Sequence, residues 1–523
     1  MDAAPKTLPN DVTALKDLVL NQQDLLCRQG TQIQALTEQI RLLKHHRFGS
    51  SSEKISPDQM ALFNEAELLD LDNQDQADVP DAAPDEIEVP SHTRKRGHRN
   101  SLPEDLPRVR VEHDIADEDK ICDCGCAKKC MGEETSEQLE IIPQQVRVIH
   151  NVRFKYACPS CEAGVQVAKQ PPDPIPKSNV TPGLLAFIII SKFMDALPLY
   201  RQEKIFERIG VTLSRTTMAR WVIQASVLIQ VLINMMQEHA LSEDILAMDE
   251  TTVQVLKEPD KPPTSASYMW IRRGGPPDQP VVLFNYAPSR SQSVADELLD
   301  GFTGYLQSDG YQVYANFAAA NEKVTSVGCW AHARRKFEKA VKAQGKGNIK
   351  AGMAMQGLSY IRTLYRIENK IKACTPAERY AVRQNEAKPL LEKIRAWLDK
   401  SVAKPPASST VGTALNYLNN QWSTLICYID DGRLRIDNNQ TENAIRPFVV
   451  GRKNWMFSDT PKGAHASAAL YSIIETAKLN GLEPYRYLRH IFKELPKAES
   501  VEQFEALLPW NVDKEEINSG SIH

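Results

Sequence analysis

The period of the hydrophobic positions changes several times along the chain. Over residues 11–46, Val19, Leu26, Ile33 and Ile40 recur every seven residues, and Leu15, Leu36 and Leu43 share a second seam position with Gln22 and Gln29. A sustained seven-residue apolar repeat pairs helices, and polar seam residues fix their register. A coiled coil is therefore predicted over residues 1–48, with an amphipathic helix packed on its own chain as the alternative. Residues 49–92 carry no period: Ser50-Ser51-Ser52 opens the stretch, an acidic run with prolines closes it, and no aromatic follows Phe63. Such a segment buries too little to order itself and is expected to be a disordered linker. Residues 180–240 regain helical periodicity. Within them two helical stretches flank Gly210, Ser214 is a good cap for the second, and Arg215, Thr216, Thr217 and Arg220 follow it. That arrangement fits a helix-turn-helix, or simply two short helices. From Ile245 the pattern becomes that of strands: 245–256, 268–272, 281–286, 305–308 and 324–328 are predicted, with Pro and Gly turns between several of them. Helical segments then dominate from Ala331 to about Cys427. Strands, a long helical insertion and a closing helix predict an α/β domain split in sequence.

Composition narrows the class. At 523 residues, three or four domains are expected, and 42% hydrophobic with 25% charged residues suits a soluble globular protein. The longest apolar run, Leu184–Ile190, has seven residues, against roughly 20 for a membrane span. No basic stretch followed by an apolar one opens the chain, so a cytoplasmic protein without a membrane partner is expected. The net charge of −4 conceals an asymmetry: residues 64–90 hold ten of the 67 acids and no Lys or Arg, leaving 63 basic against 57 acidic residues elsewhere. Basic clusters then emerge at Arg94-Lys95-Arg96 with Arg99, at Arg334-Arg335-Lys336 and at Arg452-Lys453. They suit DNA phosphate, or are ordinary solvated charge. Six of the ten cysteines fall between Cys122 and Cys161, which in a reducing compartment suggests metal binding or catalysis.

Three acids are candidates for chemistry. Asp249 lies in the first strand, Asp309 just after a later one, and Glu442 at the start of a helix in Asn-Gln-Thr-Glu-Asn-Ala-Ile-Arg-Pro. Adjacent strands can bring the two aspartates together, and a helix across the sheet can supply the third acid. Phosphodiester transfer uses two metal ions about 3.5–4 Å apart, and Mg²⁺ selects oxygen ligands. Simpler readings exist: Asp309-Gly310 is a common turn pair, and Asn439 to Glu442 has capping-box spacing. Asp437 and Glu250 compete for metal contact.

Several ordered segments resemble the insertion-sequence 66 family of transposases, which have an RNase H-like DDE catalytic domain. They are Arg-Phe-Gly-Ser-Ser-Ser-Glu-Lys (47–54), Leu-Pro-Arg-Val-Arg-Val-Glu-His-Asp (106–114), Lys-Tyr-Ala-Cys-Pro-Ser-Cys (155–161), Gly-Cys-Trp-Ala-His-Ala-Arg-Arg-Lys-Phe (328–337), Asp-Asn-Asn-Gln-Thr-Glu-Asn-Ala-Ile-Arg-Pro (437–447), Gly-Arg-Lys-Asn-Trp-Met-Phe (451–457) and Ile-Glu-Thr-Ala-Lys-Leu-Asn-Gly-Leu-Glu-Pro-Tyr (474–485). The resemblance implies that Asp249, Asp309 and Glu442 are the catalytic, metal-binding triad, holding two Mg²⁺ or Mn²⁺ ions. Cys329 and His332 match a Cys and His of the family, with no role assigned. The family usually has Arg directly after the third acid, where this chain has Asn443.

The resemblance also implies a zinc-binding region. Cys158-Pro-Ser-Cys161 is a good half site for tetrahedral Zn²⁺. Aligned on the family pattern, Cys122 and Cys124 complete a single structural site, with Cys126 the main alternative.

The expected organisation is a coiled coil (1–48), linker (49–92), zinc-binding and DNA-binding module (93–170), helix-turn-helix-like region (171–243), first part of the catalytic domain (244–330), helical insertion (331–430), second part with the third acid (431–490) and a C-terminal element (491–523). The expected function is cleavage at the ends of a bacterial insertion sequence and joining of the freed 3′-hydroxyl to target DNA. DNA contacts are expected from Arg94, Lys95, Arg96, Arg99, Arg215, Arg220, Arg334, Arg335, Arg452 and Lys453. Lys453 and Trp455 are candidates for holding the DNA terminus, with core packing the favoured reading of Trp455. The implied partners are terminal inverted repeats, target DNA, a second copy of the chain and small accessory proteins. The enzyme would be nucleoid-associated when bound to DNA. A non-catalytic DNA-binding regulator and a metal nuclease that cuts without joining are the rivals.

Overall fold

The computed structural model describes residues 146–156, 166–344 and 352–519, with separate helical positions between residues 13 and 41. The chain forms two units, residues 72–167 and the remainder. In the smaller unit, β1 (Lys155–Tyr156) pairs antiparallel with β2 (Gln166–Val167). The four cysteines expected at zinc, the alternative Cys126, and Arg94, Lys95, Arg96 and Arg99 lie outside the described residues.

The larger unit is a mixed α/β assembly around a five-stranded sheet. Its strands are β3 (Ile245–Gln254), β4 (Ala266–Gly274), β5 (Val281–Ala287), β6 (Gly304–Gln307) and β7 (Val324–Val327), in spatial order β5-β4-β3-β6-β7. The first three run antiparallel as a meander, whereas β6 and β7 lie parallel to β3. Every side chain of β5 except Asn285 is buried, the mark of a strand covered on both faces.

Helices cover the sheet. α1 (Pro182–Phe193), α2 (Leu199–Arg208), α3 (Arg215–Leu228) and α4 (Gln230–Ser242) precede it. Ser214 caps α3, its Oγ accepting from Thr217 N at 3.2 Å. Gly210 turns the chain between α2 and α3 at φ +82°, a conformation that a side chain disfavours. Short α5 (Gln292–Leu298) and α6 (Gln312–Ala320) alternate with the parallel strands. Then follow α7 (Trp330–Gln344), α8 (Met353–Lys370), α9 (Pro376–Val382), α10 (Lys388–Ser401), α11 (Thr410–Asn420) and α12 (Trp422–Ile426), the helical block predicted between the second and third acids. This block has its own core, with Trp330, Phe337, Ile361, Leu391 and Leu415 buried.

The chain returns to the sheet with α13 (Asn439–Trp455), α14 (Pro461–Leu479) and α15 (Pro484–Glu494). α14 seals the outer edge of β5. Ser472 Oγ accepts from Phe284 N at 2.7 Å, and Thr476 Oγ1 accepts from Val282 N and donates to Val282 O, both at 3.0 Å. Hydroxyls thereby replace the neighbouring strand that an edge lacks.

Two links tie the helical block to its surroundings. Arg383, 1% exposed, donates to Glu368 and to the carbonyls of Tyr428, Asp431 and Leu434 at 2.7–2.9 Å. It fixes the segment that leads into α13. The Glu38 carboxylate accepts from Thr410 N and Oγ1, both at 3.0 Å, at the positive N-terminus of α11. Of the apolar positions of the expected coiled-coil seam, Leu26, Ile33, Leu36 and Ile40 are described, and all are exposed. Among the described residues no single helix is long and apolar enough to cross a membrane.

Candidate active site

The register of the parallel strands builds the site. Ile245, Leu246 and Ala247 stand opposite Tyr305, Leu306 and Gln307, an offset of sixty residues. Carried two residues further, the same offset sets Asp249 against Asp309. Asp309 follows β6 in a turn. Its Oδ1 accepts from Tyr311 N at 2.9 Å, and Gly310 has φ +88°. The turn reading of Asp309-Gly310 therefore holds, and the turn is what aims the acid. Tyr417 of α11 donates to the Asp309 carbonyl at 3.1 Å.

Asp249, Glu250 and Asp309 each present an oxygen within 4.8 Å of the others. Burial pushes the Asp249 carboxyl well up, and Glu250, Glu442 and Asp309 push it further. Glu250 is raised by burial too, but Tyr314 and Arg290 oppose the shift. Arg290 Nε donates to Glu250 Oε1 at 2.7 Å, and the Tyr314 hydroxyl donates to Oε2. The Arg290 guanidinium lies 3.7 Å from the Tyr311 ring centre. Hard carboxylate oxygens crowded into a partly dry site fit a divalent cation, whose charge relieves their repulsion.

Glu442 sits on the first turn of α13 and is 7% exposed. The cap position of α13 is Asn438, which makes no side-chain capping bond. The capping-box reading of Asn439 and Glu442 is thereby set aside. Asn438 instead staples the helix start to the sheet: its Nδ2 donates to Met248 O at 2.9 Å, and its backbone N donates to Cys329 Sγ at 3.2 Å. Arg335 Nη2 donates to Glu442 Oε1 at 2.8 Å. Burial raises the Cys329 thiol well above its usual range and, with the Arg335 charge, lowers His332. Asp437 is engaged by the Tyr365 hydroxyl at 2.9 Å and by Asn439 Nδ2 at 3.1 Å. Among the described residues it belongs neither to the group of Asp249, Glu250 and Asp309 nor to a second metal-capable group, Cys329, His332 and Glu442.

The described basic residues divide by environment. Arg215, Arg220 and Lys453 are exposed. The Arg334 side chain is 11% exposed and pairs with Glu338 at 2.9 Å. Arg452 donates to Thr252 Oγ1 at 3.0 Å. Trp455 packs on Phe448 at 5.5 Å between ring centres, in keeping with core packing. Arg290 and Tyr314 carry no sequence signal, because each reaches its partner only through the fold, and Asn438 lies within the 437–447 segment without a role assigned to it. Glu250 was legible as an acid beside Asp249.

A mixed α/β domain in which neighbouring strands bring Asp249, Glu250 and Asp309 together, with Glu442 in a separate group on a helix, is compatible with a DDE-type transposase. The profile of the Transposase IS66 family matches residues 177–466. The IS66 C-terminal element matches 472–510, the zinc-finger binding domain of transposase IS66 matches 119–162, and the profile described as Transposase C of IS166 homeodomain matches 35–111. Among relatives from Sinorhizobium fredii, the uncharacterised protein y4jD is 31% identical, with 100% of both chains covered. The uncharacterised y4qI is 30% identical over 98% of each. The chain belongs to the IS66 family of transposases, and DNA is its partner.

Proposed function

We propose that this transposase cuts the phosphodiester at the boundary of a bacterial insertion sequence and joins the freed 3′-hydroxyl to target DNA at one site. The convergence of Asp249, Glu250 and Asp309 oxygens within 4.8 Å carries the reading. The strand order β5-β4-β3-β6-β7 supports an RNase H-like arrangement. Asp249, Asp309 and Glu442 would hold two Mg²⁺ or Mn²⁺ ions, with Glu250 a further candidate ligand held back by Arg290 and Tyr314. Bound ions of this kind activate the attacking oxygen and neutralise charge on the leaving one. The chain's own residues supply the positioning. The shared strand register aligns the two aspartates, the Asp309 turn aims its carboxylate, and Asn438 fixes the helix that carries Glu442. Arg215 and Arg220, exposed on the second helix of the helix-turn-helix-like region, suit contact with DNA. Cys122, Cys124, Cys158 and Cys161 would hold one Zn²⁺ in the module that recognises the ends. Exposed Leu26, Ile33, Leu36 and Ile40 support pairing of two copies through the N-terminal helix. Small accessory proteins of the same element are expected to assist.

The test incubates the protein and its accessory proteins with terminal-repeat DNA, Mg²⁺ and a target plasmid. Joined product is expected, and it should be absent with Asp249→Asn, Asp309→Asn or Glu442→Gln. Nicks without joining would instead mark a nuclease. Binding without nicks would mark a regulator, a reading that the three acids argue against and Asn443 only weakly favours.

A further inference from the structure

Beside the crowded acids lies a second group, of which the reaction as described uses only Glu442. Cys329, His332 and Glu442 each present a ligand atom within 4.8 Å of the other two, the spacing of a cation site. A cation already stands there, and it belongs to the chain. Arg335 Nη2 is 2.8 Å from Glu442 Oε1 and 3.4 Å from His332 Nδ1, while those two acceptors are 3.8 Å apart. The Glu442 side chain is only 9% exposed and that of Arg335 is 30% exposed, so the guanidinium reaches in from the surface to a poorly hydrated carboxylate. Charge-assisted bonds in such a setting are strong and weakly screened.

A carboxylate oxygen that accepts from a guanidinium at 2.8 Å is a poorer ligand for a second cation. We propose that Arg335 is a positioning residue, an internal counter-ion that holds Glu442 in the DNA-free chain and competes with the divalent ion for the same carboxylate. This rests on the reading that Glu442 is a metal ligand. The guanidinium fork suits phosphate as well as carboxylate. A phosphate of bound DNA therefore draws Arg335 outward and frees Glu442. Linkage requires that DNA, by drawing Arg335 away, tighten metal binding by the factor through which metal tightens DNA binding. Cys329 and His332 complete the cradle: Cys329 holds the start of α13 through Asn438 N, and His332 shares the guanidinium.

The experiment measures Mn²⁺ affinity of the metal-stripped full chain without DNA, by calorimetry and by the spin-resonance signal of free Mn²⁺. Arg335→Gln is expected to bind Mn²⁺ about fivefold or more tightly than the unaltered chain, within the usual range of site–site coupling. Arg335→Lys should fall between them, because an ammonium keeps the charge without the fork. Adding Glu442→Gln to Arg335→Gln should abolish the gain. An Arg335→Gln affinity equal to or weaker than that of the unaltered chain overturns the proposal, as does a gain that survives Glu442→Gln. If Arg335→Gln does not fold, Arg335→Lys decides alone, and affinity no greater than the unaltered chain's refutes it. Asp249→Asn is the separate control: undiminished Mn²⁺ binding there would refute the metal site itself, whatever Arg335 does.

Discussion

At the scale of single residues, Asp249 carries the crowding of the site. Burial and three neighbouring acids raise its carboxyl in the folded chain, whereas the unfolded chain leaves it ordinary. The folded state therefore holds its proton to higher pH than the unfolded state does. Without metal, the contribution of Asp249 to stability should be greatest below the ordinary carboxylate range, fall as the pH rises through it, and level off above the raised value. Asp249→Asn should remove that part of the slope and raise the melting temperature in EDTA at pH 7, measured by calorimetry from pH 4.5 to 8. An unchanged slope would show that the crowding is not felt. Mg²⁺ should stabilise the unaltered chain and leave the variant unmoved. The pairing of Asp249 with Asp309 was legible because Asp249 lies within one readable strand and Asp309 just after another. The ion pair of Glu442 with Arg335 was not, since both residues were singled out for other partners. Nothing local in Pro-Ser-Arg290 announces its reach to Glu250.

At the scale of elements, α14 shows how a helix can finish a sheet. Ser472 and Thr476 stand four residues apart, on one face of the helix, and meet backbone groups two residues apart on β5. Ser472→Ala and Thr476→Val each leave a buried N–H without its acceptor, at a cost of about 1–3 kcal/mol. The expected readout is a lowered denaturant midpoint, with faster hydrogen exchange at Val282 and Phe284. Loss confined to the surface of α14 would contradict this. The strands were predicted to within two residues because turns bound them. The hydroxyl seal was hidden, because Ser and Thr in a helix look neutral until a strand edge lies against them. The helical insertion was readable as helices, while Arg383 as the hub joining it to the approach of α13 depended on tertiary packing.

At the scale of the molecule, the zinc-finger match (119–162) and the match that holds the acids (177–466) cover different stretches of the chain, and the role proposed for each can be checked by itself. Zinc measured in the purified full chain should be about one ion per chain, the content of a single four-thiolate site. Replacing Cys158 and Cys161 should remove it and abolish end binding while leaving the Mn²⁺ affinity of the acid cluster intact. The parallel register has a further consequence for how such a chain can change. Asp249 and Asp309 each stand four residues beyond paired partners, Ile245 and Tyr305. Lengthening the turn at 257–265 or the loop at 275–280 disturbs neither count. Losing one residue between Leu246 and Met248 would send Asp249 to the opposite side of the sheet. Descendants are free to drift in the distance between their two aspartates, provided those short strand counts are inherited unchanged.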